Sequence, residues 1–418
     1  MRILITGSNT INKGAEAMLR TVMAELGDRL PGATFFIGDW RARQWHPEGV
    51  VAAGVPYAPI KMQGRVSQAA RAVLHGVRAP EGPVYWLRRR GEVAYHRALA
   101  EAVDGAVDVS GFLFSDQRGM AGSKLVSVVE TFKREGKPFV FLPQAWGPFE
   151  EPPVREIARR VVNAATLTFA RDDTSQTHLD GLGPIGPIDQ SPDIAFLFRP
   201  SADGPRLVSE IGLDPNRPLL AISPNMRVYE RTEGEGEDNL YALALVRAAR
   251  KLLSEGVQVL IVPHEILPPN ETRHDDRYLC GLIAEALGPD DVGAVTTDRS
   301  AEDLKAMIGE CDLMLGSRFH ALIAALSSGV PSVAVGWAHK YPELLGEFGQ
   351  SHLVLDHNSL TVDALVATVS DVWDHRRQVR ASIAETVPSV KAKASRAFDL
   401  TRDVLAQRTS STPLLAVR

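Results

Sequence analysis

Apolar residues along the chain come in short runs separated by longer stretches with helical spacing. Arg2–Thr6 (RILIT) has the pattern of a buried strand, and Gly14–Leu26 follows with Ala17, Leu19, Val22, Met23 and Leu26 on one helical stripe. Thr34–Gly38, Gly105–Val109, Pro138–Leu142 and Leu167–Ala170 read as further strands. Between the last two, Val154, Ile157, Ala158, Val161 and Val162 form another helical stripe. The alternation pauses at Phe198–Pro218, whose prolines, glycines and mixed charges suit a linker. It restarts with strand patterns at Leu219–Ser223, Val257–Val262, Ala294–Thr296, Leu313–Leu315, Ser332–Val335 and His352–Leu355. Helical patterns lie between them at Tyr241–Leu253, Ala301–Ile308 and Phe319–Leu326. Strands alternating with helices predict parallel sheets covered on both faces. The expected fold is α/β: two Rossmann-like doubly wound domains, 1–200 and 201–408, facing a cleft, with a loose tail at 409–418. Ligands in such folds sit at the carboxyl ends of the strands, so function is expected on the loops that line the cleft.

Composition narrows the classes. The chain has 418 residues, with 46 Lys and Arg against 51 Asp and Glu, a formal net charge of −5. That balance argues against a nucleic-acid partner, which selects for a basic domain or stripe. Hydrophobic residues at 44% and charged residues at 23% are ordinary globular values and exclude general disorder. Cys280 and Cys311 alone cannot build a disulfide scaffold, and no His, Cys and carboxylate cluster shows metal-ligand spacing, so no required metal is expected. No apolar run approaches the roughly 20 residues that span a bilayer. The opening MRILITGSN is too short for a signal-peptide core, so a cytoplasmic location is expected. One segment departs from the average. From Lys61 to Ala98, Lys61, Arg65, Arg71, Arg78, Arg88, Arg89, Arg90 and Arg97 face only Glu81 and Glu92, with Tyr85, Trp86 and Tyr95 interleaved. It reads as a solvated helical insertion or, more sharply, as a surface for anionic lipid headgroups, which would associate the protein with a membrane.

Chemistry concentrates where strands end. Gly7-Ser-Asn-Thr-Ile-Asn12-Lys-Gly14-Ala-Glu16 follows a strand and opens a helix, giving either a tight turn or an anion or hydroxyl site on free N–H groups. It matches neither the dinucleotide fingerprint nor the P-loop. Gly181-Leu-Gly183-Pro-Ile-Gly186 has glycine spacing of the right kind, but no strand precedes it and it reads as a loop. Arg171 follows a strand in Phe169-Ala-Arg171-Asp172-Asp173; it suits phosphate or carboxylate, or a surface pair with Asp172 or Asp173. In Leu315-Gly-Ser-Arg318-Phe-His320-Ala-Leu, Arg318 and His320 fall at the first turn of a helix. A cation there opposes the helix dipole, which points to a ligand that supplies the anion, and a histidine in that field suits acid–base work. Lys340, in Gly336-Trp-Ala-His-Lys340-Tyr, and His264, in Val262-Pro-His264-Glu, lie after other strands at the same end of the sheet.

These segments, in this order, resemble the polysaccharide pyruvyl transferase family. The resemblance runs through Asn12-x-Gly14-x-Glu16, Gln144-x-x-Gly147-Pro148-Phe149, Ala170-Arg171-Asp172-x-x-Ser175 and Ser191-Pro-Asp193-Ile-Ala-Phe196. It continues through Val262-Pro263-His264, Gly316-Ser-Arg318-Phe-His320-Ala-Leu, Gly329-Val-Pro331 and Lys340, and so covers roughly Met1–Leu355. Val109–Asp116 departs from it, with one glycine where the family has a glycine-rich turn. The resemblance implies a fold similar to the B-type glycosyltransferases. It implies transfer of a pyruvyl group from phosphoenolpyruvate to two hydroxyls of one sugar, in a polysaccharide or its lipid-linked precursor, to give a ketal. It further implies that Arg171, Arg318, His320 and Lys340 bind the donor. His320 is the candidate for proton transfer or phosphate binding; Asn12, Gly14, Glu16 and His264 are the other candidate substrate contacts. Phosphoenolpyruvate is then the donor substrate and no cofactor is expected. The alternatives are a glycosyltransferase of the same fold using a nucleotide sugar, and an idle member that only binds polysaccharide or a synthase.

Overall fold

A computed structural model of the protein describes residues 1–37, 96–183, 185–267 and 274–407. The basic segment 61–98, apart from its last three residues, and the tail 409–418 lie outside the described residues. Two six-stranded parallel sheets carry the fold. The first contains β1 (Arg2–Thr6), β2 (Thr34–Ile37), β3 (Gly105–Asp108), β4 (Phe139–Gln144), β5 (Leu167–Ala170) and β6 (Ile188–Gln190), in the order β2-β1-β3-β4-β5-β6. The second contains β7 (Leu219–Ser223), β8 (Gln258–Ile261), β9 (Val292–Ala294), β10 (Leu313–Gly316), β11 (Ser332–Gly336) and β12 (Val354–Asp356), in the order β12-β11-β10-β7-β8-β9. Helices cover both faces, so the central strands are buried throughout, and their mostly apolar runs follow from that double cover.

Three local expectations change. The strand read at Ala294–Thr296 is Val292–Ala294, because its ladder with β8 runs from Val259 opposite Val292 to Ile261 opposite Ala294 and stops where β8 stops. β6, short and half-exposed, extends the first sheet by pairing with β5. Within Phe198–Pro218 the chain forms the helix Gly204–Ser209, started by a proline in its first turn, with Leu207, Val208 and Leu213 in the core. The expected division at 200/201 falls between β6 and β7.

The units are tied together by the helix Val362–Ala406, which is 45 residues long. Its later turns reach back to the first sheet: Asp399 accepts from Arg29 at 2.9 Å, Asp189 from Arg396 at 3.2 Å, and Leu405 packs on Gly105. A second tie crosses directly over the cleft floor. Lys13 N–H donates to the His264 carbonyl and Ile266 N–H to the Ile11 carbonyl, each at 2.9 Å. Among the described residues, no helix is long and apolar enough to cross a membrane.

Candidate active site at the cleft

Each chemical side chain enters the cleft from the carboxyl end of a strand. After β1, Gly7 turns the chain with φ +75°, and Asn12 caps the helix Lys13–Arg29 by accepting from the Gly14 and Ala15 N–H groups at 3.0 and 3.2 Å. After β5, Arg171 precedes the helix Asp173–Asp180, which Asp172 caps through the Ser175 N–H at 2.7 Å. After β6 comes Asp193, which accepts from the Ala195 N–H at 2.9 Å and opens a short 3-10 turn. After β10, Arg318 occupies the cap position of the helix Phe319–Ser327, and His320 follows in its first turn. After β11, Lys340 begins the helix Lys340–Gly346.

Asp193 is the point where the two domains meet chemically. Its Oδ2 accepts from Arg171 Nη1 at 2.9 Å and lies 3.6 Å from His320 Nε2, an ion-pair separation rather than a hydrogen bond. Burial alone would push the Asp193 carboxyl upward, but His320 and Arg171 outweigh it and hold the group well below the ordinary carboxylate range. Arg171 also lies over the Phe319 ring, 4.2 Å from its centroid, so a first-domain guanidinium is seated on the second domain's helix Phe319–Ser327. Arg318 donates to Glu265 at 2.6 Å and to Asp276. Burial works against its charge, yet the two carboxylates more than compensate and raise its affinity for the proton.

Lys340 sits in a different setting. Its ammonium is 4.7 Å from the Trp337 ring centroid, 5.2 Å from Phe112, 5.3 Å from Phe319 and 5.6 Å from Tyr341. The ring faces favour the charged form. Burial and the nearby guanidiniums of Arg171, Arg318, Arg227 and Arg118 oppose it and lower its pKa far below the lysine range.

Several buried donors remain unspent. Arg171 Nε and Nη2, Arg318 Nε and His320 Nε2 have no hydrogen-bond partner within the protein. Each such group costs about 1–3 kcal/mol when desolvated without a partner. Their convergence from two domains is best explained by an anionic ligand with several oxygens.

The sequence model of the polysaccharide pyruvyl transferase family matches residues 81–339. The chain belongs to this family. Among curated proteins it is similar to the amylovoran biosynthesis protein AmsJ of Erwinia amylovora, 21% identical over 275 residues. That alignment covers 64% of this chain and 65% of AmsJ, so the chain spans about two-thirds of its relative, and slightly less. In structure it is similar to UDP-GlcNAc 2-epimerase from Neisseria meningitidis, with a TM-score of 0.58 at 10% identity, over 97% of this chain and 99% of that one. It is also similar to a UDP-forming trehalose-phosphate synthase from Burkholderia xenovorans, with a TM-score of 0.55 at 10% identity, over 98% and 99% of the two chains. At that identity these likenesses concern the fold, two Rossmann-like domains of the B-type glycosyltransferase kind.

Within this pyruvyl transferase family member, Arg171, Arg318, His320 and Lys340 all border one region of the cleft, linked through Phe319 and Asp193. The other expected contacts have different work. The Asn12 side-chain oxygen is spent on capping. Gly14 leaves room for the His320 ring, which lies against its Cα. Glu16 turns to buried Lys13 at 3.1 Å, which also reaches the exposed Asp298, and burial raises the Glu16 pKa despite Lys13. His264 is buried, and burial together with His320, Arg318 and Lys13 drives its pKa far down, so it is neutral and not one of the cations. The anion expected to offset Arg318 at the helix start is supplied largely by Glu265 and Asp276; only Nε remains open. Asp193, Glu265 and Asp276 carried no assigned role in the sequence, although Ser191-Pro-Asp193 directly follows a strand. Among the described residues no group of three His, Cys, Asp or Glu side chains is arranged to hold a metal.

Proposed function

We propose that the protein transfers a pyruvyl group from phosphoenolpyruvate to two hydroxyls of one sugar, forming a cyclic ketal during exopolysaccharide biosynthesis. The observation that carries this reading is the set of buried, unspent donors on Arg171, Arg318 and His320, contributed by both domains around Asp193. Phosphoenolpyruvate is small and bears a phosphate and a carboxylate, so it needs several fixed donors. The open Nε and Nη2 of Arg171 suit bidentate binding of one of its two anionic ends, and Arg318 Nε suits the other.

Ketal formation then proceeds in four movements. A proton is delivered to the methylene carbon, leaving positive character at the carbon that bears the carboxylate. One sugar hydroxyl adds to that carbon and gives up its proton. The C–O bond to phosphate breaks with its electron pair going to the phosphate, and a second hydroxyl closes the ring with loss of its own proton. The arginine that holds the phosphate end stabilises it as it departs, and losing one such preorganised donor costs about 3–4 kcal/mol of transition-state stabilisation. His320, with Nε2 open and its ring fixed between Gly14 and Asp193, is the group for proton delivery or phosphate binding.

The test is phosphate release from phosphoenolpyruvate with a panel of free and lipid-linked saccharides, together with direct donor binding. Release that requires both an acceptor and His320 supports the reading. No binding of phosphoenolpyruvate and no release with any acceptor would sink it, and stabilisation by a uridine or guanosine diphosphate alone would favour a nucleotide-sugar transferase. We assign the protein to the cytoplasm. Flotation with anionic against neutral vesicles decides whether residues 61–98 add a membrane contact.

A further inference from the structure

Beyond the buried donors, the cleft carries a second basic group that the donor does not require. The short helix Met226–Tyr229 follows β7, and Arg227 and Arg231 lie four residues apart along it and its continuing turn. The exposed Arg231 guanidinium lies over the Trp337 ring at 4.9 Å, and the Lys340 ammonium lies over that same ring at 4.7 Å. Arg227 joins the inner set through Glu265, 3.5 Å away, whose other oxygen takes Arg318. From the facing domain, the exposed Arg118 on the turn Asp116–Gly122 lies within electrostatic reach of Arg227 and Glu265.

The two groups differ in how their charge is balanced. Arg171 and Arg318 are buried, each against a carboxylate. Among the described residues no carboxylate stands within 4.0 Å of the charged group of Arg118, Arg231 or Lys340. The acid next to Arg231, Glu230, is engaged 2.9 Å from His274. Two residues before Arg231, Tyr229 meets Tyr278 edge to face at 6.3 Å, with Tyr278 55% exposed. Arg118 and Arg231 of unspent charge, with Arg227 set 3.5 Å from Glu265 and the Trp337 ring under Arg231, suit a ligand that is part sugar and part anion.

We infer that Arg227, Arg231 and Arg118, with the Trp337 ring, form a second anion subsite that holds a phosphoryl group on the saccharide acceptor. This rests on the pyruvyl-transfer reading only for calling the ligand an acceptor; the subsite itself is testable without it. Inorganic pyrophosphate is titrated calorimetrically into the full chain already saturated with phosphoenolpyruvate. Wild type should bind it, and Arg231→Gln should bind it about tenfold to a hundredfold more weakly, as expected for a lost charge-assisted hydrogen bond. Donor affinity, measured separately, should fall less than pyrophosphate affinity, because Arg231 is exposed and meets the donor set only through the Trp337 ring it shares with Lys340. In kinetics, Arg231→Gln should raise KM for a saccharide carrying a terminal phosphoryl group and leave KM for the same saccharide without it.

Three results overturn the inference: no pyrophosphate binding to the donor-saturated protein, pyrophosphate that merely competes with phosphoenolpyruvate, or equal KM changes for both acceptors. Tight binding of inorganic phosphate with no discrimination between acceptors would assign the group to the departing phosphate instead, and would also overturn it. If phosphoenolpyruvate itself does not bind, the functional reading fails, while pyrophosphate titrated alone into wild type and Arg231→Gln still decides the subsite.

Discussion

Gly14→Ala isolates the geometry of the site from its stability. Gly14 is the second residue of the helix Lys13–Arg29, and a Cβ there would lie 2.1 Å from His320 Nδ1, 2.2 Å from Cγ and 2.6 Å from Cβ. Non-bonded carbons settle at about 3.5–4.0 Å, so the imidazole has to retreat by roughly 1.5 Å. Rotating the ring alone does not relieve this, because the histidine's own Cβ is crowded too. The retreat disturbs the 3.6 Å approach of Nε2 to Asp193. Locally the substitution is favourable, since alanine exceeds glycine in helices by about 0.8–1 kcal/mol. Overpacking costs about 1–3 kcal/mol, leaving a net loss of about 0–2 kcal/mol. A misplacement of about 1 Å in a reacting group can cost about a hundredfold in rate. Gly14→Ala should therefore lower kcat about a hundredfold with only a small loss of stability. In a His320→Gly background, which removes the histidine's Cβ as well as its ring, the clash is gone, and the same substitution should stabilise the protein by up to about 1 kcal/mol. Phosphate-release kinetics and urea unfolding on the four proteins of the cycle measure both effects. Wild-type-like activity in Gly14→Ala, or equal destabilisation in the two backgrounds, would refute the argument.

Asp193→Asn keeps an acceptor for the Ala195 N–H but leaves Arg171 with only Asp172, 4.0 Å away, as counter-charge, so unfolding free energy should fall by up to about 3–5 kcal/mol. Because the folded-state carboxyl lies below its ordinary value of 3.8, this stabilisation is present above that pH and lost as pH falls further; the gap to wild type should be flat from about pH 8 to 5 and close below about pH 4. Lys305 donates to the Phe198 carbonyl at 2.6 Å, and burial, with Lys391 nearby, lowers its pKa from 10.5 to about 7. The unfolded chain then binds more protons between those values, so wild-type stability should rise from about pH 7 to 10, a rise that urea titrations of Lys305→Met should not show. An arriving anion should raise the lowered pKa of Lys340, so donor binding should take up protons at pH values where the free lysine is deprotonated; calorimetric heats that do not vary with buffer ionisation enthalpy at any pH would count against this.

The parts of this fold that could be read from sequence are those where burial is symmetrical. β4, β5, β7, β10 and β11 are covered on both faces, and that leaves runs that are mostly apolar, without polar alternation. β6 is a three-residue edge strand with the sequence IDQ, held by pairing with β5, and nothing in its pattern separates it from a loop. The helix Gly204–Ser209 was hidden for a related reason: its proline start has turn composition, and only Leu207 and Val208 face the core. In the site, Arg171, Arg318 and His320 were legible because each directly follows a strand. Their counter-charges were not. Glu265 and Asp276 come to Arg318 from another strand–helix connection, and that pairing exists only after β8 and β10 have taken their places on either side of β7. The helix dipole pointed to a ligand as the source of the anion for Arg318; Glu265 and Asp276 of the protein itself supply it.

That source bears on how the site works. A buried guanidinium without a partner is far more costly than one already paired, so the protein holds Arg171 and Arg318 charged and oriented through its own carboxylates. Full pairing would leave nothing for a ligand. The geometry avoids this by using only part of each fork: Arg171 gives Nη1 to Asp193 and keeps Nε and Nη2, while Arg318 gives both terminal nitrogens and keeps Nε. The carboxylates nevertheless cancel much of the local positive charge, and a donor with up to three negative charges needs more than leftover hydrogen bonds. Lys340 lies beside both arginines, has no carboxylate within 4.0 Å among the described residues, and is held below its ordinary range by burial first and by its cationic neighbours second. It therefore gains its proton most readily when an anion enters between them. Fixed arginines set the geometry of binding, and the lysine adjusts the charge.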